Sequence, residues 1–319
     1  MKNIEVAVLM STFNGAFYLK EQLESLRCQT YSNFILYVRD DGSSDETLNI
    51  IKNFEGLNIR IVEDSVGNVG PASSFLRLLS CIEADYYFFC DQDDVWFNDK
   101  IERAILHIEE SADSDSMSIL YHSDLTLVDS NLNNLGSSFH NYDKVNPEEF
   151  VNNNILLIQN CVVGCTSAFN RNLRDMAINY LPIDSRDITM HDWWLALFAR
   201  YFGVLLYDPK PSIYYRQHQS NVSGSSIKSK KLFSRVFKLN SYKKIFKMID
   251  NCKNQMELFL FVVSTSGLKL PDDVLRHAQK IMRGSFISYI SLYLDGVRFS
   301  NWKLTFSLAA CCLLLGRWL

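Results

Sequence analysis

The sequence contains no paired cysteines of the kind that build structural zinc sites or disulfide frameworks. Its eight cysteines are scattered, several lie inside apolar runs, and none stands in a C-x-x-C pair. This distribution is typical of reduced, buried thiols in a cytosolic protein. The eight positions are Cys28, Cys81, Cys90, Cys161, Cys165, Cys252, Cys311 and Cys312.

The sequence also lacks a membrane-spanning segment and a secretory leader. The longest apolar run, residues 308–315, is far short of the roughly 20 residues that cross a bilayer. The first residues lead directly into a strand-like pattern and show no charged-then-apolar leader. We therefore expect a cytoplasmic protein that does not cross a membrane.

Excess charge of either sign is small over the whole chain. Thirty-two Lys and Arg against 36 Asp and Glu give a net charge of −4, so nucleic acid is not an expected partner. The balance hides one local exception, since residues 227–248 hold eight Lys or Arg and no Asp or Glu. With 319 residues, of which 47% are hydrophobic, the chain can form one large domain or two modest ones.

Glycine-rich phosphate loops are absent as well. Neither G-x-G-x-x-G nor G-x-x-x-x-G-K-[ST] follows the first apolar run, which disfavours dinucleotide and P-loop binding. A nucleotidyltransferase, an enzyme class that places a cluster of Asp residues on an α/β sheet, is disfavoured for a similar reason. It would normally carry a Gly-rich loop with Lys or Arg after the first strand, and residues 11–15 (STFNG) do not provide one.

Four apolar runs alternate with four amphipathic segments over roughly the first 110 residues. This alternation predicts a mainly parallel, twisted α/β sheet flanked by helices. Ser44 is expected to cap the second helix. The predicted strands cover residues 4–10, 34–38, 59–62 and 86–90, and the predicted helices cover residues 16–28, 44–51, 72–82 and 98–110.

The fourth apolar run ends abruptly in three carboxylates, Asp91, Asp93 and Asp94. Ligands bind at the carboxyl edge of open α/β sheets. Carboxylates this close repel one another unless a positive charge lies between them, and a hard divalent cation is the obvious choice. Taken alone, however, such a triplet is more often a solvated acidic turn that caps the next helix.

Polar residues follow the other predicted strands too. Ser11 and Thr12 come after the first strand, Asp40 and Asp41 after the second, and Asn68 after the third. Parallel strands bring their carboxyl ends to one edge of the sheet, so these side chains are expected to converge with the acidic triplet. Such an arrangement is what a nucleotide site requires.

Four of these segments together resemble the inverting family 2 glycosyltransferases of the GT-A fold, which use nucleotide-diphospho-sugar donors. Each motif is weak by itself, but the four occur in order and in register over about the first 110 residues. They are residues 10–15 (MSTFNG), 39–45 (RDDGSSD), 68–70 (NVG) and 91–96 (DQDDVW).

The resemblance implies a donor site at the sheet edge. The Asp91, Asp93 and Asp94 cluster would hold Mg²⁺ or Mn²⁺ bridging the diphosphate, and which carboxylate touches the metal stays open. Asp41 would accept the N3–H of a uracil or thymine base. The nucleotide would lie against Ser11, Thr12, Asn14, Asp40, Asp41, Asn68 and Gly70.

The acceptor side is expected between residues 118 and 211. The resemblance places an acidic residue at the start of a helix here as the catalytic base, and Asp192 stands at that position. Its neighbours are candidate acceptor or sugar contacts, with the Trp pair equally consistent with a place in the core. These contact candidates are Trp96, His191, Trp193 and Trp194.

Arg216 and His218 form a second polar motif, R-x-H, and would point to the same side of an extended segment. Arg216 offers a fork for diphosphate oxygens, and a neutral His218 would complete the metal shell. The longer pattern R-x-H-x-x-N over residues 216–221, following H-D-W-W at 191–194, resembles bacterial rhamnosyltransferase-like members that build cell-surface polysaccharides. The Q-x-x-R-W pattern of processive members is missing, which favours addition of single sugars.

The composition changes after residue 221. Residues 223–226 (SGSS) are typical of a hinge or a closing loop, and residues 228–247 are basic and amphipathic. That basic segment fits either an anionic membrane surface or the solvated face of a helical bundle. Further helices are expected at residues 249–264, 272–293 and 302–315. The apolar end, residues 304–319, would pack on the core, self-associate into a homodimer, or dip into lipid.

The predicted organisation is therefore a GT-A domain over residues 1–222 with a helical region over 223–319. The first domain would divide into a nucleotide-sugar half (1–115) and an acceptor half (116–222). We expect a metal-dependent, inverting transfer of one sugar, with dTDP-L-rhamnose as the favoured donor, in O-antigen or capsule synthesis. The expected acceptor is a polyprenyl-diphosphate-linked oligosaccharide or another glycan, reached from the cytoplasmic face of the inner membrane.

Two alternatives stay open at this point. The first keeps the fold and mechanism but uses a UDP-hexose or UDP-N-acetylhexosamine donor. The second is a non-catalytic nucleotide- or sugar-binding module, which would need neither a metal cluster nor Asp192.

Overall fold

The computed structural model describes residues 4–111, 116–181, 188–218, 239–283 and 286–297. Its strands are β1 (Val6–Thr12), β2 (Phe34–Asp40), β3 (Ile59–Ile61), β4 (Tyr86–Cys90), β5 (Val95–Trp96), β6 (Ile119–Ser123), β7 (Thr126–Val128), β8 (Asn134–Gly136), β9 (Ser167–Asn170), β10 (Val204–Asp208) and β11 (Ile213–Arg216). Its helices are α1 (Ala16–Arg27), α2 (Thr47–Lys52), α3 (Pro71–Cys81), α4 (Lys100–Glu109), α5 (Phe139–Asp143), α6 (Pro147–Asn152), α7 (Arg171–Asn179), α8 (His191–Phe202), α9 (Leu239–Ser266), α10 (Asp272–Arg283) and α11 (Phe286–Leu294).

A seven-stranded sheet with the order β10-β6-β9-β4-β1-β2-β3 forms the centre of the fold. Strands β1, β2, β3 and β4 run parallel, as do β6 and β10, while β9 is antiparallel to both β4 and β6. The apolar sequences of β1 and β4 are explained by their central position, where Val8, Leu9 and Phe88 are fully buried. The predicted α/β class and mainly parallel sheet are confirmed.

The register of the parallel strands brings the predicted polar positions to one edge. Thr12 at the end of β1 lies opposite Asp40 at the end of β2. On the other side of β1, Met10 lies opposite Cys90, the last residue of β4. The chain therefore leaves all three strands at the same edge, with Asp91 immediately beyond Cys90.

A small four-stranded sheet with the order β5-β11-β7-β8 lies next to the acidic residues. Strand β5 begins at Val95, directly after Asp94, and pairs antiparallel with β11. Strand β11 also runs parallel to β7. This arrangement brings the end of β11, and so Arg216, next to residues 93 and 94.

Some local expectations were wrong. Helix α2 begins at Thr47 with Glu46 at its N-cap, and Ser44 instead donates from its backbone N–H to Asn14 Oδ1 (2.8 Å). Residues 164–169 (GCTSAF), a run of mostly small residues that suggests a strand, start as a 3₁₀ turn, Gly164–Thr166, and become extended only at Ser167. The helix predicted over 272–293 is two helices, α10 and α11, and the one predicted from 249 starts at Leu239.

The chain divides into two compact units. The first comprises Met1–Phe139, Val162–Arg186 and Met190–Gln217 and contains both sheets. The second comprises His140–Cys161, Asp187–Thr189 and His218–Leu319. The predicted boundary at residue 222 stays a prediction.

Within the second unit, α9 buries one face through Cys252, Met256, Phe259 and Val263, as a helical repeat of three to four residues requires. Among the residues that the structure describes, no helix combines the length and apolar character needed to cross a bilayer. The predicted hinge at 223–226, most of the basic segment 228–247 and the apolar end 304–319 lie outside the described residues.

Candidate active site

The acidic loop, residues 91–94, carries three carboxylates, of which Asp94 is buried and Asp91 and Asp93 are half-buried. Asp94 is 0% exposed; its Oδ1 accepts from the Arg216 backbone N–H (3.2 Å), whereas its Oδ2 has no hydrogen bond of good geometry with the residues that the structure describes. Burial, together with the Asp93 and Asp192 charges, raises the pKa of Asp91 to about 7. Burial and the charges of Asp93 and Asp91 raise the pKa of Asp94 well above its ordinary value. The loop thus concentrates negative charge that is costly without a counter-ion.

The donor atoms of this region fit a divalent cation. One ligand atom each from Asp91, Asp94 and Cys165 lies within 4.8 Å of the other two. Carboxylate oxygens are the ligands that Mg²⁺ and Mn²⁺ prefer, and a cation would satisfy the bare Asp94 Oδ2. Asp93 is partly exposed between the two other carboxylates in the chain. Cys165 was not predicted for this site, because no local signal links it to a loop more than 70 residues earlier.

Arg216 is buried (1% exposed) and donates to protein acceptors on three sides. Its Nε donates to the Asp93 carbonyl oxygen (2.8 Å), Nη1 to the Ser130 carbonyl oxygen (2.8 Å), and Nη2 to Glu21 Oε2 (2.5 Å). The guanidinium also lies over the Tyr18 ring, 4.6 Å from its centroid. These contacts favour a role in holding the acidic loop over the predicted contact with diphosphate.

Helix α1 also forms hydrogen bonds with the acidic loop and with the strand that follows it. The Ser25 hydroxyl accepts from the Trp96 backbone N–H (3.0 Å). The Gln22 amide is satisfied when its nitrogen faces an acceptor and its oxygen faces a donor. In that orientation it donates to the Asp94 carbonyl oxygen (2.6 Å) and accepts from Trp96 Nε1 (3.2 Å). Glu21, Gln22 and Ser25 lie within about one turn and a half of the helix, so a single rigid element fixes residues 93–96.

A buried cation, Lys100, lies close to the acidic loop and was not predicted. Its Nζ donates to the Cys165 carbonyl oxygen (2.9 Å) and approaches Ser212 Oγ (3.4 Å), 4.5 Å from the centroid of the Trp96 ring. Burial lowers its pKa to about 8, and the Asp94 charge opposes that shift. Lys100 supplies part of the charge balance that the carboxylates need.

On the nucleotide side, Asp41 is buried with both carboxylate oxygens occupied. Oδ1 accepts from Arg39 Nη1 (2.6 Å) and the Val69 N–H (2.9 Å), and Oδ2 accepts from the Gly70 N–H (2.8 Å). Asn68 donates from Nδ2 to the Asp41 carbonyl oxygen (2.9 Å). These contacts fix the loop over residues 68–70 and do not support the predicted acceptance of a base N3–H by Asp41.

Arg39 completes this buried cluster, although the sequence prediction gave it no role. Its Nε and Nη2 donate to the two oxygens of Asp64 (2.8 and 3.1 Å), and Nη2 also reaches the Val66 carbonyl oxygen (2.9 Å). Hydrogen bonds from Arg39 hold the pKa of Asp64 below its usual range. The guanidinium thus ties the end of β2 to the loop after β3.

Asp40 is the partly exposed carboxylate of the pair. Its Oδ1 accepts from Thr12 Oγ1 (2.8 Å) and Ser43 Oγ (2.6 Å), and its Oδ2 accepts from the Ser43 N–H (2.7 Å). Ser11 donates to Ser74 Oγ (2.6 Å), and Asn14 adopts a φ of 47° that lets its side chain accept from the Ser44 N–H. The structure therefore gathers Ser11, Thr12, Asn14 and Asp40 at one edge, beside the loop of Asn68 and Gly70.

Asp192 lies in the first turn of α8, as predicted, and is buried. Its Oδ2 accepts from the Gly164 N–H (3.0 Å) and its Oδ1 from the Trp193 N–H (2.6 Å). Burial raises its pKa to about 6, and these two backbone donors oppose the shift. At neutral pH the carboxylate is ionised but only weakly stabilised, which suits a general base.

His191 precedes Asp192 and is 4% exposed, with neither ring nitrogen hydrogen-bonded. The ring stacks on Phe75 (centroids 4.4 Å apart) and meets Phe89 edge-on (4.6 Å). Burial lowers its pKa to about 3, so the imidazole is neutral. A Cβ on Gly164 would stand 2.9 Å from His191 Nε2, so the glycine provides the space that the ring occupies.

The three tryptophans named as sugar contacts are buried. Trp96 is 2% exposed and packs on Phe88, and Trp194 is 0% exposed and packs on Phe198. Trp193 is also buried. Since their ring faces meet other side chains, the structure does not support stacking of a sugar on Trp96 or Trp194. His218 is partly exposed and belongs to the second unit, and its metal role stays a prediction.

Comparison with known proteins gives a family match and several relatives. The family model described as Glycosyl transferase family 2 matches residues 7–175. The chain is 30% identical over 239 residues to "dTDP-rhamnosyl transferase RfbG" of Shigella flexneri, covering 71% of this chain and 78% of that protein. It is 26% identical over 175 residues to an Escherichia coli protein, "UDP-Glc:alpha-D-GlcNAc-diphosphoundecaprenol beta-1,3-glucosyltransferase WfgD", covering 52% and 59% of the two chains.

Solved structures share the fold at low sequence identity. The crystal structure of S. aureus TarS 1-349 in complex with UDP-GlcNAc superposes with a TM-score of 0.57 at 15% identity, over 96% of this chain and 91% of that one. A mannosyltransferase from Pyrobaculum calidifontis in complex with GDP-Man and Mn²⁺ gives a TM-score of 0.50 at 14% identity, over 97% and 87%. These likenesses bear on the fold alone, and they agree with the architecture predicted from the four motifs.

Proposed function

This chain belongs to glycosyltransferase family 2, and from that premise we propose that it transfers one sugar from a nucleotide-diphospho-sugar with inversion. The acceptor hydroxyl would lose its proton to Asp192. The position of Asp192 carries the proposal: it is a buried, weakly stabilised carboxylate at the start of α8, close enough to raise the pKa of Asp91 in the acidic loop. The proposed base and the proposed diphosphate-binding loop belong to the same compact unit.

Each group at the site has a distinct task in this proposal. Asp192, held by the Gly164 and Trp193 N–H groups, takes the proton from the acceptor as the glycosidic bond forms. Asp91, Asp93 and Asp94 would hold Mg²⁺ or Mn²⁺, which when bound neutralises charge on the departing nucleotide diphosphate. Arg216 and helix α1 keep the acidic loop in place. Ser11, Thr12 and Asp40 line the edge where the nucleotide would lie.

We favour dTDP-L-rhamnose as the donor. The support is the likeness to RfbG, a relative that this chain covers over 78% of its length. A UDP-hexose donor is the second candidate, supported by the likeness to WfgD over 59% of that protein. The WfgD name also supports a polyprenyl-diphosphate-linked sugar as acceptor. Both donors carry a pyrimidine, and they differ in the thymine methyl group, the ribose 2′-hydroxyl and the sugar.

Replacing Asp192 with Asn tests the mechanism. We expect Asp192→Asn to bind dTDP with Mn²⁺ as the parent chain does, while transfer of rhamnose or glucose to a lipid-linked acceptor falls by at least about a hundredfold. Asp175→Asn, on α7, is the matched control and should leave transfer unchanged, since its side chain is 47% exposed and pairs with Arg174. Proton NMR of the product reports whether the anomeric configuration is inverted. Unimpaired transfer by Asp192→Asn would remove it from the role of base.

We further propose that the basic segment, residues 228–247, brings the protein to an anionic membrane where a lipid-linked acceptor resides. The support is its eight Lys or Arg without an acidic residue over 227–248. Lys228→Glu, Lys230→Glu and Lys231→Glu together, in the full chain, should reduce co-sedimentation with phosphatidylglycerol vesicles. Unchanged sedimentation, or equal binding to neutral vesicles, contradicts this role.

A further inference from the structure

The Cys165 side chain faces the acidic loop from the neighbouring 3₁₀ turn. Gly164–Thr166 packs against β4, and Cys165 is a free, buried thiol within that turn. Its sulfur and one carboxylate oxygen each of Asp91 and Asp94 all lie within 4.8 Å of one another. Three potential metal ligands from two separate elements therefore meet at one point.

A second observation indicates that a ligand belongs there. Asp94 is 0% exposed, and its Oδ2 has no hydrogen bond of good geometry with any residue that the structure describes, although the Cys165 thiol approaches this carboxylate closely enough to lower its pKa. A buried carboxylate oxygen without a partner is strongly unfavourable. The buried cation nearby does not fill the gap, since Lys100 Nζ donates to the Cys165 carbonyl oxygen and to Ser212 Oγ. A cation at the point shared by Asp91, Asp94 and the thiol would satisfy this oxygen.

The donor set determines which cation suits the point. Two carboxylate oxygens alone would suit Mg²⁺ or Mn²⁺, but a sulfur ligand favours softer ions. Zn²⁺ and its chemical relative Cd²⁺ accept mixed oxygen and sulfur ligands in sites of low coordination number. The set of two oxygens and one sulfur therefore discriminates among divalent cations in a way that an Asp-only cluster would not.

We propose that Cys165 is a third ligand at the cation site of Asp91 and Asp94, so that the site takes thiophilic divalent cations such as Zn²⁺ and Cd²⁺. The inference rests on the proposed function in assigning Asp91 and Asp94 to the cation of the donor diphosphate. On binding, the S–H bond of Cys165 breaks, a sulfur–metal bond forms, and one proton passes to solvent. A thiophilic ion held in this way occupies the carboxylates that Mg²⁺ or Mn²⁺ would use.

The test uses the full chain with Cys28, Cys81, Cys311 and Cys312 replaced by Ser, so that exposed or adjacent thiols do not bind the probe. Titration with CdCl₂ should give an ultraviolet thiolate-to-cadmium charge-transfer band that saturates at one ion per chain. Cys165→Ser in that background should abolish the band and weaken Cd²⁺ binding by at least about tenfold, as losing even an outer-shell partner does. Cys252→Ser, a buried thiol of the second unit, is the matched control and should keep the band.

Two outcomes overturn the inference: no band in the parent background, or a band and affinity unchanged by Cys165→Ser. If Cys165→Ser does not fold, Cys165→Ala should likewise abolish the charge-transfer band, and Asp94→Asn should weaken Cd²⁺ binding. Manganese-dependent dTDP binding and sugar transfer are measured on the same proteins. Transfer without a cadmium band contradicts the Cys165 inference and leaves the proposed function intact, whereas a cadmium band without transfer does the reverse.

Discussion

At the scale of single residues, Arg216 joins the acidic loop to two distant parts of the chain. Its guanidinium is buried and donates to Asp93, Ser130 and Glu21. Glu21 is 57% exposed at its side chain, so it can be changed without opening the core. Substitutions of Glu21 and Arg216 can therefore test whether Arg216 supports the acidic loop or binds the diphosphate.

We expect Glu21→Gln to weaken Mn²⁺ binding slightly and Arg216→Met to weaken it strongly, with a coupling energy of about 1 kcal/mol in a double-mutant cycle. The reason is that both changes loosen the loop carrying Asp93 and Asp94. Mn²⁺ affinity from calorimetry provides the measurement, with Glu24→Gln on the same helix as control. If instead Arg216→Met lowers dTDP affinity equally with and without Mn²⁺, and Glu21→Gln has no effect, direct diphosphate contact is the correct role.

Asp192 gives a pH dependence of known sign. Because burial raises its pKa to about 6, kcat/KM should rise with pH through about 6 and level off above about 7, provided the ionised form is the base. The stability of the fold should move the other way. Its folded pKa is raised, so burying the charge costs stability as pH rises from about 4 to about 6, and the cost stays constant above that.

The stability of Asp192→Asn should therefore improve relative to the parent chain between pH 4 and pH 7, by up to about 3 kcal/mol. Denaturant unfolding at both pH values measures the difference. The parallel change in Asp175→Asn should be smaller, because that side chain is 47% exposed and pairs with Arg174. A constant difference across this range would falsify the raised pKa.

At the scale of elements, the turn Gly164–Thr166 governs the position of Asp192, the proposed base. A Cβ at position 164 would lie 2.9 Å from His191 Nε2 and 3.5 Å from Asp192 Oδ2. His191 cannot yield easily, since it is packed between Phe75 and Phe89. The turn and the start of α8 are consequently fitted to one another.

Gly164→Ala should destabilise the protein by about 1–3 kcal/mol, as overpacking does, and lower kcat by at least about tenfold through displacement of Asp192. Gly67→Ala is the matched control, because nothing lies within 4 Å of a Cβ at that position. Stability of Gly164→Ala combined with His191→Ala should be less reduced than the sum of the two single changes. An additive result would show that the two residues do not interact.

The same elements show which features of the fold and the site are predictable from the sequence. The apolar runs of β1 and β4, and the carboxylates after β4, follow from local pattern, so the sheet and the acidic loop were predictable. The partners of those carboxylates were not. Arg216 reaches Glu21 across 195 positions and Lys100 reaches the Cys165 carbonyl across 65, and no periodicity encodes such pairings. Burial of Asp41 was missed for the same reason, since its partner Gly70 lies beyond another strand.

At the scale of the whole molecule, the crowding of Asp91, Asp93 and Asp94 couples cation binding to the stability of the fold. Mn²⁺ at 100 times its Kd should raise the free energy of unfolding by about 2.7 kcal/mol through mass action. Because the cation must displace protons from carboxyls with raised pKa, its affinity should increase from pH 6 to pH 8.

Thermal unfolding with Mn²⁺ or with EDTA at both pH values tests this coupling. Asp93→Asn and Asp94→Asn should each reduce the Mn²⁺-dependent shift, and Glu55→Gln, at an exposed position, should not. A shift that is independent of pH, or that survives Asp94→Asn in full, argues against these carboxylates as the cation site.

Strand β9 has a consequence for recombining this protein with its relatives. Its four residues pair with β4 on one side and with β6 on the other, as the antiparallel member between two sets of parallel strands. Residues 86–88 and 120–122 therefore have their registers set by the same short segment. A chimaera that takes β6 and β10 from a relative must therefore take β9 as well, while keeping the β9 side chains that pack against β4. The two predicted halves, residues 1–115 and 116–222, follow one another along the chain, but their strands share one sheet.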